Sequence, residues 1–370
     1  MLKAKLHPGT SLDNSESAEA AKVSMTRRRV YIIGAGASVG YGLPTMKTLT
    51  WELCRNLSES DRTTFLDAVY ESCGVTLTRP EESPDFEELL NRLDPRALLY
   101  LEDTDRGGPD ASRKRAAALA LSGLRAFIRE RCLAVAAQRG AYDRLVQSLL
   151  DDSIVTSFNW DVLLEQAFIR AHRSFAYLPS KRLEGRPLLL KPHGSINWFA
   201  LLDRELLALS ADSNLEALGD DLSHYLLYLT EPLAAIRFGS CSPFVEASLS
   251  SVPAIVPPTA SKLLSVGGHP RDGFIEAGHL RAMKAVWSAL RIALDQANDL
   301  VVIGYSLPGS DAASIALLKY FAAGSRNDSE RRVFLVEPNA AVAQRYRSLL
   351  KLEARVVCSD FMEFDPSQIP

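Results

Sequence analysis

Val30–Pro44 reads VYIIGAGASVGYGLP. Its apolar start, Val30–Ile33, contains no charged residue, as expected of a strand buried on both faces of a sheet. Glycines at the end of such a strand permit positive φ and let the backbone come close to a ligand. A helix beginning just after them would aim its free N–H groups at a pyrophosphate, as a doubly wound sheet does when it holds a dinucleotide. The spacing is not that of G-x-G-x-x-G, because Val39 stands where the third glycine would fall. A tight βα turn without a ligand is the alternative reading of this segment alone.

Working outward, the 370 residues suffice for one large α/β core with an insertion, or for two modest domains. Hydrophobic content of 47% and charged content of 24% are those of an ordinary globular chain. A net charge of −3 provides no global attraction to nucleic acid or to acidic membranes. Arg27-Arg28-Arg29 is basic, but three charges before a buried strand read as its solvated start. Residues 1–26 lack an apolar segment of signal-peptide length, and their Ser, Glu and Ala content suggests a flexible tail. No run approaches the ~20 apolar residues that span a bilayer. The expected location is cytoplasmic. The five cysteines lie far apart, with no C-x-x-C pair for a zinc knuckle or a redox dithiol.

Periodicity predicts a helix over Thr45–Leu57, then helical segments without a convincing strand from about 59 to 140, with a loop over Leu101–Asp110. Strands are predicted at Ser153–Ser157, Leu188–Lys191, Leu300–Tyr305, Val333–Glu337 and Ala354–Cys358. Helices are predicted at Val162–Ala171, Arg281–Ala297, Ala312–Phe321 and Ala340–Leu350. This alternation is that of an α/β protein: a Rossmann-like, doubly wound, mainly parallel sheet. The stretch from about 203 to 275 is irregular and reads as a second insertion covering the site. Residues 27–370 would thus form one nucleotide-binding domain behind the tail.

Polar residues gather at the predicted strand ends, where open α/β sheets bind ligands. Thr156-Ser157-Phe158-Asn159-Trp160-Asp161 follows a strand and opens a helix, so Asn159 and Asp161 are either site residues or helix caps. His193, in Lys191-Pro192-His193-Gly194, sits on a loop, where an imidazole suits a general base, or is satisfied by a backbone carbonyl in a turn. Val301–Asp311, VVIGYSLPGSD, again ends a strand in Gly-Tyr-Ser, and Ser310 or Asp311 can cap the next helix. Glu337-Pro338-Asn339 closes another strand, either with groups that reach a ribose or adenine edge or as a plain β-to-α turn.

The order G-A-G-x-S, T-x-x-N-x-D, K-x-H-G, G-Y-S and V-x-P-N resembles the sirtuin (Sir2) family over about 28–60 and 145–370. Gly42 and Pro44 complete the first signature. Pro257-Pro258-Thr259 with Lys262 and Trp287, and Asp85-Phe86-Glu87-Glu88-Leu89, resemble Sir2-like effectors of bacterial antiphage defence. The resemblance implies that Gly34, Ala35, Gly36 and Ser38 cradle the NAD+ pyrophosphate. It implies that Asn159 and Asp161 contact the nicotinamide ribose, with Asn159 and His193 catalytic, and that Gly304, Ser306 and Asn339 hold the adenosine half. Two features depart from sirtuin deacylases. Thr45-Met46-Lys47 replaces their Asp-Phe-Arg, and only Cys241 lies in the interval where they carry a four-cysteine zinc site. A sheet of the Sir2 type with a large helical insertion and no zinc lobe is expected, with no cofactor beyond the substrate NAD+.

In sirtuins the acyl-lysine channel lies beside that zinc lobe, so the resemblance implies the half-reaction without a peptide: cleavage of the nicotinamide–ribose bond, giving nicotinamide and ADP-ribose. Such an NADase would be held inactive until triggered, through a homo-oligomer or a HerA-type ATPase or short Argonaute partner, as the resemblance implies. No nucleic-acid or membrane partner is indicated. The rival readings are a zinc-free NAD-dependent deacylase and a module that binds NAD+ or ADP-ribose without turnover.

Overall fold

The computed structural model describes residues 28–93, 109–178, 185–200, 227–229, 253–255, 274–309, 311–323 and 331–370. The tail over 1–26, most of 203–275, Cys241, Pro257-Pro258-Thr259, Lys262 and Ser310 lie outside the described residues.

Seven strands form one sheet: β1 (Arg29–Ile33), β2 (Ile154–Ser157), β3 (Ala176–Tyr177), β4 (Leu188–Leu190), β8 (Asp299–Ile303), β9 (Arg332–Val336) and β10 (Ala354–Cys358). Their order is β10-β9-β8-β1-β2-β4-β3, and every pairing is parallel. Each predicted strand is present within one or two residues; the two-residue β3 is additional. β5 (Gly194–Ala200) starts a second, antiparallel sheet with β6 (Leu227–Leu229) and β7 (Pro253–Ile255).

The apolar runs of the central strands are buried on both faces, whereas the edge strand β10 is mostly exposed or half-buried. Tyr31, Ile33, Val155, Leu189, Val301 and Ile303 point to one side. There they meet α2 (Met46–Asn56), α3 (Glu59–Cys73), α4 (Phe86–Arg92), α5 (Pro109–Ala134), α6 (Ala141–Ser148) and α7 (Leu163–Arg170). Val30, Ile32, Leu190, Leu300, Val302 and Leu335 point to the other side, onto α8 (Phe274–Gln296), α9 (Ala312–Ala323) and α10 (Ala340–Leu350). Full burial of each such side chain contributes about 1.5–3 kcal/mol, which drives the layering.

From β1 the chain runs to β2, then to the edge strand β3, and returns to β4 between them, under one helical layer. From β8 it winds the opposite way through β9 and β10 under the other. The loops after β1 and β8 therefore diverge at the carboxyl edge of the sheet, where a doubly wound fold opens its ligand crevice. The fold is α/β, doubly wound and parallel.

The helix expected directly after the glycines is α1 (Gly36–Val39), four residues long. Gly40 and Gly42 follow, with Gly42 at φ +81°, and the long helix begins only at Met46. The loop predicted over Leu101–Asp110 ends early, since Pro109 and Asp110 already belong to α5; the rest lies outside the described residues. α6 was not anticipated. Asp85 caps α4 by accepting from Glu87 N at 2.9 Å, and Phe86 packs edge-on to Trp160 at 6.1 Å.

Candidate functional site

Three loops meet at the carboxyl edge, and glycine is what lets the first two touch. Gly34 N donates to Ile303 O at 2.9 Å, and Gly36 N donates to Gly304 O at 2.8 Å. A Cβ on Gly34 would lie 2.5 Å from Tyr305 Cα, and one on Gly36 would lie 2.8 Å from Gly304 O. Gly304, at φ +59°, faces Ala37 N, 2.3 Å from where its own Cβ would sit. The loops after β1 and β8 thus form a backbone-to-backbone seam at the switch point.

This seam corrects one expectation. The N–H groups of Gly36, Ala37 and Ser38 are not free for a pyrophosphate: they donate to Gly304 O, Gly34 O and Ala35 O. The cause is the tightness of α1, whose single turn closes on i−3 carbonyls.

Ser38 is the hub of the arrangement. Its buried Oγ donates to Asp161 Oδ2 at 2.7 Å, accepts from Asn159 Nδ2 at 3.0 Å, and lies 3.0 Å from Tyr142 OH. One donor and two acceptor positions are thereby filled. Burial, then the Asp161 charge, push the Tyr142 phenol well above its ordinary value, so it remains a hydroxyl.

Asn159 spends both amide hydrogens on the first loop, on Gly34 O and Ser38 Oγ, each at 3.0 Å. Its carboxamide orientation is fixed by that pair, and the oxygen carries neither bond. The helix-cap alternative for Asn159 therefore does not apply, while for Asp161 it does: Oδ1 accepts from Leu163 N at 3.1 Å at the start of α7. Asp161 caps the helix and holds Ser38 at once.

Behind this network, Lys191 Nζ donates to Asp161 O and lies 3.2 Å from Glu165 Oε1, with both side chains 0% exposed. The same loop then turns at Gly194, φ +73°, and presents His193. His193 is buried, its Nε2 3.2 Å from Asp311 Oδ2. Its ring centroid stands 4.8 Å from Phe158 and 6.3 Å from Trp287, and its carbonyl accepts from Trp160 Nε1 at 3.0 Å. Both chain neighbours of Asn159 therefore touch His193. Phe158 also stacks on Tyr305 at 4.6 Å, which brings the loop after β8 to the same place.

Gly34, Ser38, Asn159 and Asp161 are in direct contact, with His193 one side chain away and Gly304 against Gly36. Ala35 is half-buried in the turn between Gly34 and Gly36. Gly42 lies exposed beyond α1, with open space where a Cβ would be, so its φ is what calls for glycine. Ser306 and Asn339 are exposed on the β9 side of the crevice. Ser306 O accepts from Arg345 at 2.7 Å, and Asn339 caps α10 through Ala341 N at 2.9 Å. Asn339 N donates to Glu337 Oε1, whose carboxyl is raised above the usual range chiefly by burial. None of these contacts reaches the Ser38 network.

Sequence reasoning did not find Tyr142, the Lys191–Glu165 pair or the contact of Asp311 with His193. A buried lysine two residues before the histidine was the one signal available. Among the described residues no group of three or more His, Cys, Asp or Glu is arranged to hold a metal, and no helix is long and apolar enough to cross a membrane.

No protein-family model and no curated protein matches the chain. Among solved structures it is similar to an ADP-ribose complex of a Sir2 homologue mutant, at 13% identity, TM-score 0.42, covering 96% of this chain and 95% of that one. A Sir2 homologue–NAD complex aligns at 13% identity and TM-score 0.36, with coverages of 94% and 95%. A Sir2 protein bound to a propionylated peptide aligns at 12% identity and TM-score 0.37, covering 95% of each chain.

Proposed function

We propose that this chain is an NAD+ hydrolase that cleaves the bond between nicotinamide and ribose C1′, releasing nicotinamide and ADP-ribose. The observation that carries the proposal is the setting of Asn159. Both its amide hydrogens are committed to the first loop, its carboxamide oxygen is left as an acceptor, and both its chain neighbours touch His193.

Nicotinamide in NAD+ is a cation and departs with the bonding electron pair without protonation. The need is for charge stabilisation at the ribose and for a placed nucleophile. In this proposal Asn159 Oδ1 accepts a hydrogen bond from the attacking water, whose oxygen adds to C1′. His193 accepts the proton that water loses. The Asp161 carboxylate, fixed by Ser38 and Leu163 N, favours the developing oxocarbenium charge. In this proposal Gly34, Ala35, Gly36 and Ser38, with Gly42 beyond them, line the pyrophosphate side by shape, since the N–H groups of Gly34, Gly36 and Ser38 are already bonded within the protein, and Gly304, Ser306 and Asn339 line the adenosine side. NAD+ is the substrate, and no metal takes part.

The proposal extends to biology through the motifs quoted above: a regulated NAD+-depleting effector of antiphage defence, acting as a homo-oligomer or with a HerA-type ATPase or short Argonaute. Light scattering after size exclusion, alone and with genomic neighbours, tests that part; a strict monomer throughout would end it.

The test of the chemistry is nicotinamide release from NAD+ by purified protein, beside Asn159→Ala and His193→Ala. Loss of at least about 10²-fold in kcat is expected for each variant. Deacylated peptide formed from an acyl-peptide and NAD+ would point to the deacylase instead. Tight nucleotide binding without turnover, unchanged in His193→Ala, would point to a sensing module.

A further inference from the structure

We infer that Asp311 is the positioning residue of His193: its carboxylate keeps the imidazole in the Nε2–H tautomer, so that the lone pair lies on Nδ1. The kinetic consequence rests on the hydrolase reading above; the tautomer does not.

Asp311 follows β8, and His193 follows β4, three places away in the sheet. The two side chains nevertheless meet, with Nε2 3.2 Å from Oδ2, 4% and 1% exposed. The carboxylate is held from three other directions. Oδ2 accepts from Tyr305 OH at 2.8 Å and from Ser314 Oγ at 2.5 Å, and Oδ1 accepts from Ser314 N at 3.2 Å, capping α9. Tyr305 is itself clamped, stacked on Phe158 and bonded through its carbonyl to Tyr346 OH at 3.0 Å. Burial, then the Asp311 charge, keep the Tyr305 phenol protonated and donating.

An ionised carboxylate only accepts hydrogen bonds, so an imidazole nitrogen beside it must carry the proton. A capping residue would need only Oδ1; Oδ2 accepts from Tyr305 and Ser314 and also lies 3.2 Å from Nε2, a contact that a cap alone does not require. Fixing the ring's tautomer and tilt through a buried carboxylate is an established way to ready a histidine as a base. Asp311 touches no reacting atom in this scheme and acts through His193.

Nitrogen NMR of histidine-labelled full-length protein reads the tautomer directly, with His193→Ala assigning the signal. Wild type should show the Nε2–H form at neutral pH. In Asp311→Asn, Oδ1 keeps the cap while the amide presents N–H to Nε2, so the Nδ1–H form should appear. Asp311→Ser also keeps a capping oxygen and should lose the single tautomer. With NAD+, Asp311→Asn should lower kcat at least about 10-fold with KM within about 3-fold, and should add nothing in a His193→Ala background. Ser314→Ala should stay within about 3-fold of wild type.

An Nδ1–H wild type, a spectrum unchanged in both Asp311 variants, or an equal kcat loss without His193 would overturn the inference. The wild-type spectrum decides even if a variant fails to fold. A correct tautomer in a protein that releases no nicotinamide would leave the positioning intact and end the hydrolase reading.

Discussion

The Lys191 ammonium and the Glu165 carboxylate stand 3.2 Å apart with neither side chain exposed, directly beneath the Asn159–Asp161 turn. Removing one partner of such a pair leaves an uncompensated buried charge. Lys191→Met is expected to destabilise the fold by about 3–5 kcal/mol, and Glu165→Gln with it should cost less than the two single changes summed. Denaturant unfolding of the four proteins checks this. Strict additivity would show that the pair is not coupled.

Gly304 and Gly42 both have positive φ, but only Gly304 is crowded. Gly42→Ala should cost about 1 kcal/mol, the conformational penalty alone. Gly304→Ala must also push Ala37 N away and should cost about 3 kcal/mol or more. Comparing the two melts isolates the seam. Equal losses would mean that the loops after β1 and β8 can part freely.

Ser38→Ala removes the hydroxyl that Asp161, Asn159 and Tyr142 share. A stability loss of about 1–3 kcal/mol is expected, and nicotinamide release should fall because Asn159 is no longer anchored. Tyr142→Phe removes one donor and should cost about 1 kcal/mol. A larger loss for the tyrosine change would contradict Ser38 as the hub.

Tyr142, Tyr305 and Tyr346 are all raised well above the ordinary phenol value, first by burial and then by Asp161, Asp311 and Glu337 respectively. Unfolded, they ionise near pH ~10; folded, they keep their protons longer. The folded state therefore binds more protons at alkaline pH, and stability should fall as pH rises past that point. Ultraviolet tyrosinate absorbance followed beside circular dichroism tests this. Ionisation of these three before any loss of helix would contradict it.

The central strands were legible in the sequence because β1, β8 and β9 carry apolar runs, a pattern that burial on both faces demands. The small sheet was not. Its central strand β5 looks like a loop after the histidine, and its partners β6 and β7 are three-residue segments far along the chain. Gly34 and Gly36 were expected for closeness to a ligand, whereas their closest neighbours belong to the loop after β8. At Asp161 capping and site roles are not exclusive, because Oδ1 accepts from Leu163 N and Oδ2 from Ser38. In the sequence, Ser310 or Asp311 reads as the cap of the next helix. Nothing local betrays the second contact of Asp311, because strand order, not spacing, decides which loops become neighbours.

Arg29 lies opposite Asp299, and β1 needs that partner 270 residues downstream. A ribosome exposes the glycine turn long before its counterpart, because the two lie 270 residues apart. Prematurely terminated products cannot assemble the crevice. The crevice between the loops after β1 and β8 therefore closes only once Asp299 has left the ribosome.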